Sequence, residues 1–197
     1  MDFADLVPLV LPDVAGCPST TIERALRDAA ETLCERTGVW VHQMDPVTPA
    51  SDGVIDLELP AGSRLATVLS VVADGRQLTG IHRDDADAMP SAVGYVRLSA
   101  DQLQVVNLTP ATVSVRVAVV PDMDAESIPD EVGRVWWMSL VNGAKAELLM
   151  IQNVVWSNPQ LADYYRRIFS SDLLRASVSS SKDGGSAARR VRPRPIC

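Results

Sequence analysis

The sequence is poor in the residues that most often carry chemistry. Its 197 residues include two histidines and three cysteines, and aromatic side chains make up 5% of the chain. Cys17, Cys34 and Cys197 are odd in number and lack Cys-x-x-Cys spacing. This pattern argues against a disulfide framework or a structural zinc site and favours a reducing compartment. Since Gly-x-Ser-x-Gly, Walker and Gly-x-Gly-x-x-Gly motifs are also missing, we expect no enzymatic activity, no cofactor and no metal site.

Long apolar runs are missing too. The run Leu6–Leu11 is broken by Pro8 and closed by Pro12, and it is far too short to span a bilayer. Asp2 and Asp5 stand where a signal peptide would carry basic residues. We therefore expect neither a membrane segment nor secretion.

The few candidate chemical groups have simpler interpretations. His42 and His82 lie in unrelated contexts, and each is expected to be a surface or packing residue rather than a base. Asp84, Asp85 and Asp87 form an acidic cluster, but a calcium loop needs a glycine turn and a closing glutamate, which are missing. A solvated acidic loop is the expected structure. Cys34 is expected to be a small buried hydrophobe.

Charge is distributed unevenly along the chain. Leu173–Cys197 holds six basic and one acidic side chain (net +5), which leaves −12 for the rest of a chain whose net charge is −7. Such a flexible, basic, proline-containing tail cannot be buried in its own core. It could contact nucleic-acid phosphates, or lie extended in a partner's groove or along a sheet edge. A disordered terminus without a partner is the third interpretation.

Periodicity predicts helices near both ends. Thr20 and Glu23 form a capping-box pattern at the first helix, and Gly38 is suited to end it. A later helix after Pro129 includes Gly143, which costs about 1 kcal/mol relative to Ala unless a second helix crosses closely there. Asn158 is expected to cap the last helix, whose apolar pattern fades after Leu174. The expected apolar positions of the three helices are Ile22, Ala25, Leu26, Ala29, Ala30 and Leu33; Val132, Val135, Trp136, Leu140, Ala144 and Leu148; and Leu161, Tyr164, Tyr165, Ile168 and Phe169.

The middle of the chain changes to a two-residue period. Strands are expected around 55–59, 65–72, 76–78, 93–98, 103–108 and 112–120, with Asp74-Gly75 as a hairpin turn. We therefore predict an α+β fold: a helical bundle from the N- and C-terminal helices, with an inserted antiparallel β-subdomain and an extended C-terminal tail. The expected boundaries are 1–50 for the N-terminal segment and first helix, 51–122 for the β-subdomain, 123–174 for the C-terminal helices and 175–197 for the tail.

Several segments together resemble the head-to-tail connector (portal adaptor) proteins of tailed bacteriophages. No single motif is specific, but their order along the chain matches. They are Leu11-Pro12-Asp13-Val14-Ala15-Gly16-Cys17-Pro18, residues 26–34 followed by Trp40, residues 143–149, residues 156–162, then Tyr165, Phe169 and residues 190–195.

The resemblance implies a structural virion protein with no catalytic activity. Such adaptors dock as a ring, usually of twelve subunits, beneath the portal protein, extend the DNA channel toward the tail, and contact neck or tail proteins below. The location implied is the head-tail interface of a virion assembled in the host cytoplasm. Carried to this chain, the portal-anchoring segment comprises Arg189, Arg190, Val191, Arg192, Pro193, Arg194 and Pro195. Trp137 follows Trp136 on a helix, about 100° round, so an intersubunit contact through Trp137 is a further expectation.

Two alternatives remain open. The chain could occupy a lower position in the same particle, as a neck stopper or tail-completion protein. It could instead be a DNA-binding module that uses its basic tail, although the −12 charge of the remainder weighs against this.

Overall fold

The fold combines a central sheet with helices packed against it. The computed structural model describes residues 1–83 and 92–183, with side chains up to residue 180. The described helices are α1 (Val7–Val10), which lies between two 3-10 turns, α2 (Ser19–Thr37), α3 (Asp130–Leu148) and α4 (Pro159–Asp183).

Seven strands form one curled sheet. They are β1 (Val41–Gln43), β2 (Val54–Asp56), β3 (Ser63–Ala73), β4 (Arg76–Gly80), β5 (Gly94–Arg97), β6 (Gln102–Val106) and β7 (Val113–Pro121). Their spatial order is β1-β7-β3-β4-β5-β6-β2. Every pairing is antiparallel except that between β4 and β5, which is parallel.

The predicted helical bundle with an inserted antiparallel β-subdomain is wrong. The sheet is the centre of the fold and is mixed, and the helices do not form a bundle of the chain ends. The bundle does not form because β1, which follows α2 directly, pairs with the distant strand β7, with Val41 opposite Ala118. This pairing joins the N-terminal segment to the sheet, so the sheet is not an insertion between helices.

Strand β7 is buried on both of its faces from Val117 onward, whereas Ser114 and Arg116 are half-buried. Val113, Val115, Val117 and Val119 point to one face and have no exposed surface. The alternate residue Ala118 faces α2, where a Cβ atom on Gly38 would lie 3.8 Å from the Ala118 Cβ. Because both faces are covered there, the residues from Val117 to Pro121 form a continuous apolar run.

Helix α2 packs its predicted apolar stripe against the sheet and the other helices. All six expected positions are buried, and Cys34 is buried beside them. Gly38 ends the helix in the left-handed conformation at φ 62°, as predicted. The predicted cap is wrong: Pro18 occupies the N-cap position and no side chain caps the helix. The ring of Pro18 fixes φ near −60° at the N-cap position, so the helix begins without a side-chain cap from Thr20.

Helix α3 crosses α2 and α4 closely at Gly143, as the sequence indicated. A Cβ atom there would lie 2.8 Å from the Ala29 Cβ and 3.2 Å from the Phe169 ring. Helix α4 starts as expected, with Asn158 Oδ1 accepting a hydrogen bond from the Leu161 N–H. It continues to Asp183, however, so residues 175–183, expected to begin the extended tail, are helical.

The hairpin between β3 and β4 is confirmed at Asp74-Gly75. Both residues have positive φ, 46° and 80°, as the tight turn favoured between twisted strands requires. The Asp74 carboxylate also accepts hydrogen bonds from the N–H groups of Ala111 and Thr112. These bonds lower the pKa of Asp74 below its ordinary value and tie the hairpin to the start of β7.

Candidate interaction surface

The predicted portal-binding segment, Arg189 to Pro195, lies outside the described residues, as does the acidic cluster at Asp84, Asp85 and Asp87. Trp137 lies on α3, where both it and Trp136 are half-buried and pack against the core. The intersubunit role of Trp137 therefore stays a prediction.

The buried thiols belong to the core. Cys34 has no exposed surface, and burial raises the pKa of its thiol to about 12. The expectation of a small buried hydrophobe is confirmed, because a protonated, inaccessible thiol is a poor nucleophile. Within residues 1–83 and 92–183, no three His, Cys, Asp or Glu side chains come together in a way that could hold a metal ion. His42 Nε2 lies 3.2 Å from the Glu58 carbonyl oxygen, and His42 also lines a cleft of about 490 Å³ beside the start of α3.

A charged cluster joins the N-terminal segment to the helices. Lys145 Nζ on α3 lies 2.6 Å from Asp13 Oδ2, and the Tyr165 hydroxyl of α4 donates to the same oxygen at 2.9 Å. The Lys145 ammonium also lies 5.2 Å from the Tyr165 ring centroid. Burial opposes ionisation of Asp13, but its two partners outweigh burial, so its pKa is lowered. Burial and the neighbouring carboxylate together raise the pKa of Tyr165 to about 12.

A second polar contact sets the register of α3 against α4. The buried Ser139 hydroxyl donates to Asp172 Oδ2 at 2.9 Å, and Arg175 lies 3.1 Å from the other carboxylate oxygen. With Gly143 against Phe169, this contact shows that α3 and α4 run antiparallel. The C-terminal turns of α4 therefore lie beside the first half of α3.

The ends of α2 and α4 meet at the same side of the molecule. The Ser180 hydroxyl of α4 donates to the carbonyl oxygen of Thr37, the last residue of α2. One cleft of about 490 Å³ is lined by Ser179 of α4, by Val135 near the start of α3, and by Trp40, which directly precedes β1. The chain therefore leaves the described structure next to the start of α3 and the edge of the sheet.

This end of the helical layer, which we call the exit end, presents exposed apolar side chains. Val135 is 66% exposed, Met138 is 50% exposed and Val178 is 55% exposed. The prediction that Val135 is part of the buried stripe is wrong, because the stripe passes through Val132, Leu140 and Ala144 and leaves Val135 on the outer side. The spacing of Val135 and Met138 could have predicted a shared exposed face, because residues three apart are neighbours on one side of a helix.

The chain was compared with known proteins. No protein-family model matches it, and no curated protein sequence is significantly similar to it. Among the described residues, no helix is both long enough and apolar enough to cross a membrane.

Proposed function

We propose that this protein is a structural head-to-tail adaptor of a tailed bacteriophage, which docks as a ring beneath the portal and extends the DNA channel. The observation that carries the proposal is the exit end. Val135, which shares a cleft with Ser179 and Ser180, and Val178 expose apolar surface near the last described turn of α4, and Met138 is exposed one turn further along α3. Exposed apolar side chains grouped beside a basic extension are typical of a docking surface.

Charge supports the same assignment. The residues beyond Asp183 contribute four arginines and no acidic side chain, so residues 1–183 carry a net charge of −11. An acidic body repels DNA phosphates, which suits a channel through which DNA must slide. A basic extension on an acidic body needs an acidic or polar partner surface elsewhere, and the portal protein is that partner in the proposed assembly.

Ring symmetry makes a modest contact sufficient. Immobilising a segment on docking costs conformational entropy, which reduces the affinity of one copy. When several copies in one ring engage one partner ring, each further contact is intramolecular and the combined affinity exceeds that of a single segment by about 10²–10⁴. Attachment would therefore follow completion of the portal ring rather than precede it.

The test removes the segment without touching the fold. The truncated chain should end at Asp183 and not earlier, because Ala176 is fully buried and Ser180 is hydrogen-bonded to Thr37. A chain ending at Asp183 should keep the thermal midpoint of the full chain. It should fail to attach to the portal ring encoded in the same genome, as measured by native mass spectrometry and cryo-microscopy of the mixture.

A matched variant separates charge from length. The full chain with its terminal arginines changed to Ala should lose attachment to the same degree; the changes are Arg189→Ala, Arg190→Ala, Arg192→Ala and Arg194→Ala. Arg76→Ala, which changes an exposed arginine on β4, should leave attachment intact. Undiminished attachment of the truncated chain would refute the tail's role.

Two measurements distinguish the alternative functions from the adaptor. A ring found one layer below the portal contact in virion reconstructions would identify a neck stopper or tail-completion protein. Salt-dependent binding to DNA without any portal, lost with the four arginines, would identify a DNA-binding module.

A further inference from the structure

A rigid, acidic loop carries one prominent apolar side chain. Met123 is 80% exposed and is flanked in sequence by Asp122 and Asp124, both exposed. The loop is firmly held, since the Asp122 N–H donates to the Gly62 carbonyl at 2.9 Å and the Ala125 N–H donates to the Asp122 carbonyl at 3.0 Å. We call residues 122–124 the Met123 knob.

The loop is also fixed from the helical side. Arg27 Nε of α2 donates to the Ala125 carbonyl oxygen at 2.6 Å, and the Ala125 side chain is buried. The Met123 N–H donates to Asp122 Oδ1 at 2.8 Å. An exposed methionine on a fixed backbone loses little freedom when it binds, apart from its own side-chain rotamers.

A pocket with apolar and basic lining, complementary to the apolar and acidic Met123 knob, lies on the helical layer. It has a volume of about 470 Å³ between the last turn of α2 and the second half of α4, and we call it the α2–α4 pocket. Its lining combines the apolar side chains of Leu173 and Leu174 with the polar side chains of Arg36, Ser170 and Ser177. Leu174 is 70% exposed. Arg175 follows it in the chain, and its guanidinium, although paired with Asp172, is itself 73% exposed.

The knob and the pocket lie on opposite sides of α2. Arg27 reaches the knob loop, whereas Arg36 lines the pocket. The two arginines are nine residues apart, which is about 2.5 turns of an α-helix, so their side chains point in opposite directions from the axis. One subunit therefore cannot fill its own pocket with its own knob.

We infer that the α2–α4 pocket binds the Met123 knob of a second copy of this chain. The methionine side chain contacts Leu173 and Leu174, and Asp122 and Asp124 face Arg36, so that apolar surface meets apolar surface and opposite charges meet. Because two different surfaces meet, the contact is head-to-tail and repeats from copy to copy until a ring closes. The inference rests on the proposed ring assembly for that closure, and it supplies the subunit contact of the ring.

The first experiment locates the contact directly. In the full chain, Met123 is replaced by the photocrosslinking residue p-benzoylphenylalanine, and the protein is irradiated at high concentration without any portal. Mass spectrometry should find crosslinked dimers joined to the peptides that contain Arg36 or Leu174. Crosslinks to other peptides, or none between copies, would overturn the inference.

The second experiment tests the head-to-tail arrangement with two defective variants. One carries Met123→Ser and Asp124→Lys; the other carries Arg36→Glu and Leu174→Glu, all at exposed side chains. Each alone should self-associate at least about tenfold more weakly than the unmodified chain in sedimentation velocity. Mixed, they should form a heterodimer and nothing larger, because one intact knob and one intact pocket remain.

The control pair is Arg76→Glu with Val155→Ser, which alters an exposed arginine and an exposed apolar residue that belong neither to residues 122–124 nor to the pocket lining. It should self-associate as the unmodified chain does. Equal weakening by the control, or no heterodimer in the mixture, would contradict the inference. Since neither experiment includes a portal, loss of portal attachment would count against the proposed function and leave this contact standing.

Discussion

Replacing Gly143 by Ala should destabilise the protein although alanine is the better helix former. On propensity alone the change in the interior of α3 would stabilise by about 1 kcal/mol. The added Cβ would lie 2.8 Å from the Ala29 Cβ and 3.2 Å from the Phe169 ring. Ala29 Cβ is attached directly to the α2 backbone, so one of the helices must shift. Such overpacking costs about 1–3 kcal/mol, which exceeds or cancels the propensity gain, so we expect a net loss of up to about 2 kcal/mol in the free energy of unfolding.

The same helix offers a matched control. Gly133 is also buried on α3, but its added Cβ would approach the end of the Met1 side chain, with 2.8 Å to Met1 Cε. The side-chain end can move, and the contact of 3.1 Å to Met1 Cβ needs a shift of only a few tenths of an ångström. Gly133→Ala should therefore be close to neutral, since the propensity gain of about 1 kcal/mol offsets this shift. Urea unfolding followed by tryptophan fluorescence measures both midpoints. A Gly143→Ala protein as stable as Gly133→Ala would refute the close helix crossing.

Two further predictions concern titration and thiol access. The pKa of Tyr165 is raised to about 12. The stability that this shift contributes is fully present below the ordinary tyrosine pKa of about 10 and is lost as pH rises toward 12. The pKa of Asp13 is lowered, so the stability that this shift contributes is lost in acid, below about pH 4. Tyr165→Phe should therefore reduce the alkaline loss of stability in urea titrations, to which the buried Cys34 thiol with its raised pKa also contributes. An unchanged alkaline slope would contradict the burial of Tyr165 and its hydrogen bond to Asp13. In a Cys197→Ser chain, the buried Cys17 and Cys34 should not react with a thiol-specific chromogenic disulfide at pH 8, and both should react in denaturant; rapid native labelling would show that the thiols are accessible.

Local features of the fold could be predicted from the sequence because a few residues determine them. The two positive φ values at Asp74-Gly75 and the left-handed Gly38 follow from backbone sterics at single positions. The Gly143 crossing was predictable for the same reason, since a glycine in a helix interior needs a compensating contact. Each of these predictions needed only neighbouring residues.

The sheet architecture depended on residues far apart. Strand β1 has three residues, too few to show a two-residue period, and its partner β7 lies about seventy residues later. The parallel pairing of Thr79 with Gly94 and Gly80 with Tyr95 joins strands on either side of a long connector. Nothing in either segment specifies the direction of the other, so an antiparallel arrangement was the simpler and incorrect prediction.

The candidate surfaces were equally hard to predict. The serine-rich turns after Leu174 looked like a tail, yet Ala176 is fully buried and the helix reaches Asp183. Tertiary packing at one alanine outweighs the low helix propensity of its serine neighbours. The α2–α4 pocket likewise needs Arg36 and Leu174 to meet across 138 positions of sequence, which composition cannot show.

The position of β7 between β1 and β3 has a consequence for synthesis. Both neighbours are translated earlier, and β1 has no strand partner among the described residues until Val113 to Pro121 has been made. At about 5–20 residues per second, roughly 4–14 s pass between translation of Gln43 and that of Val113. Once Ala73 has been made, the nascent chain presents an open edge of β3 for roughly 2–8 s before Val113 is translated. Aggregation is therefore a greater hazard on the ribosome than in the finished protein.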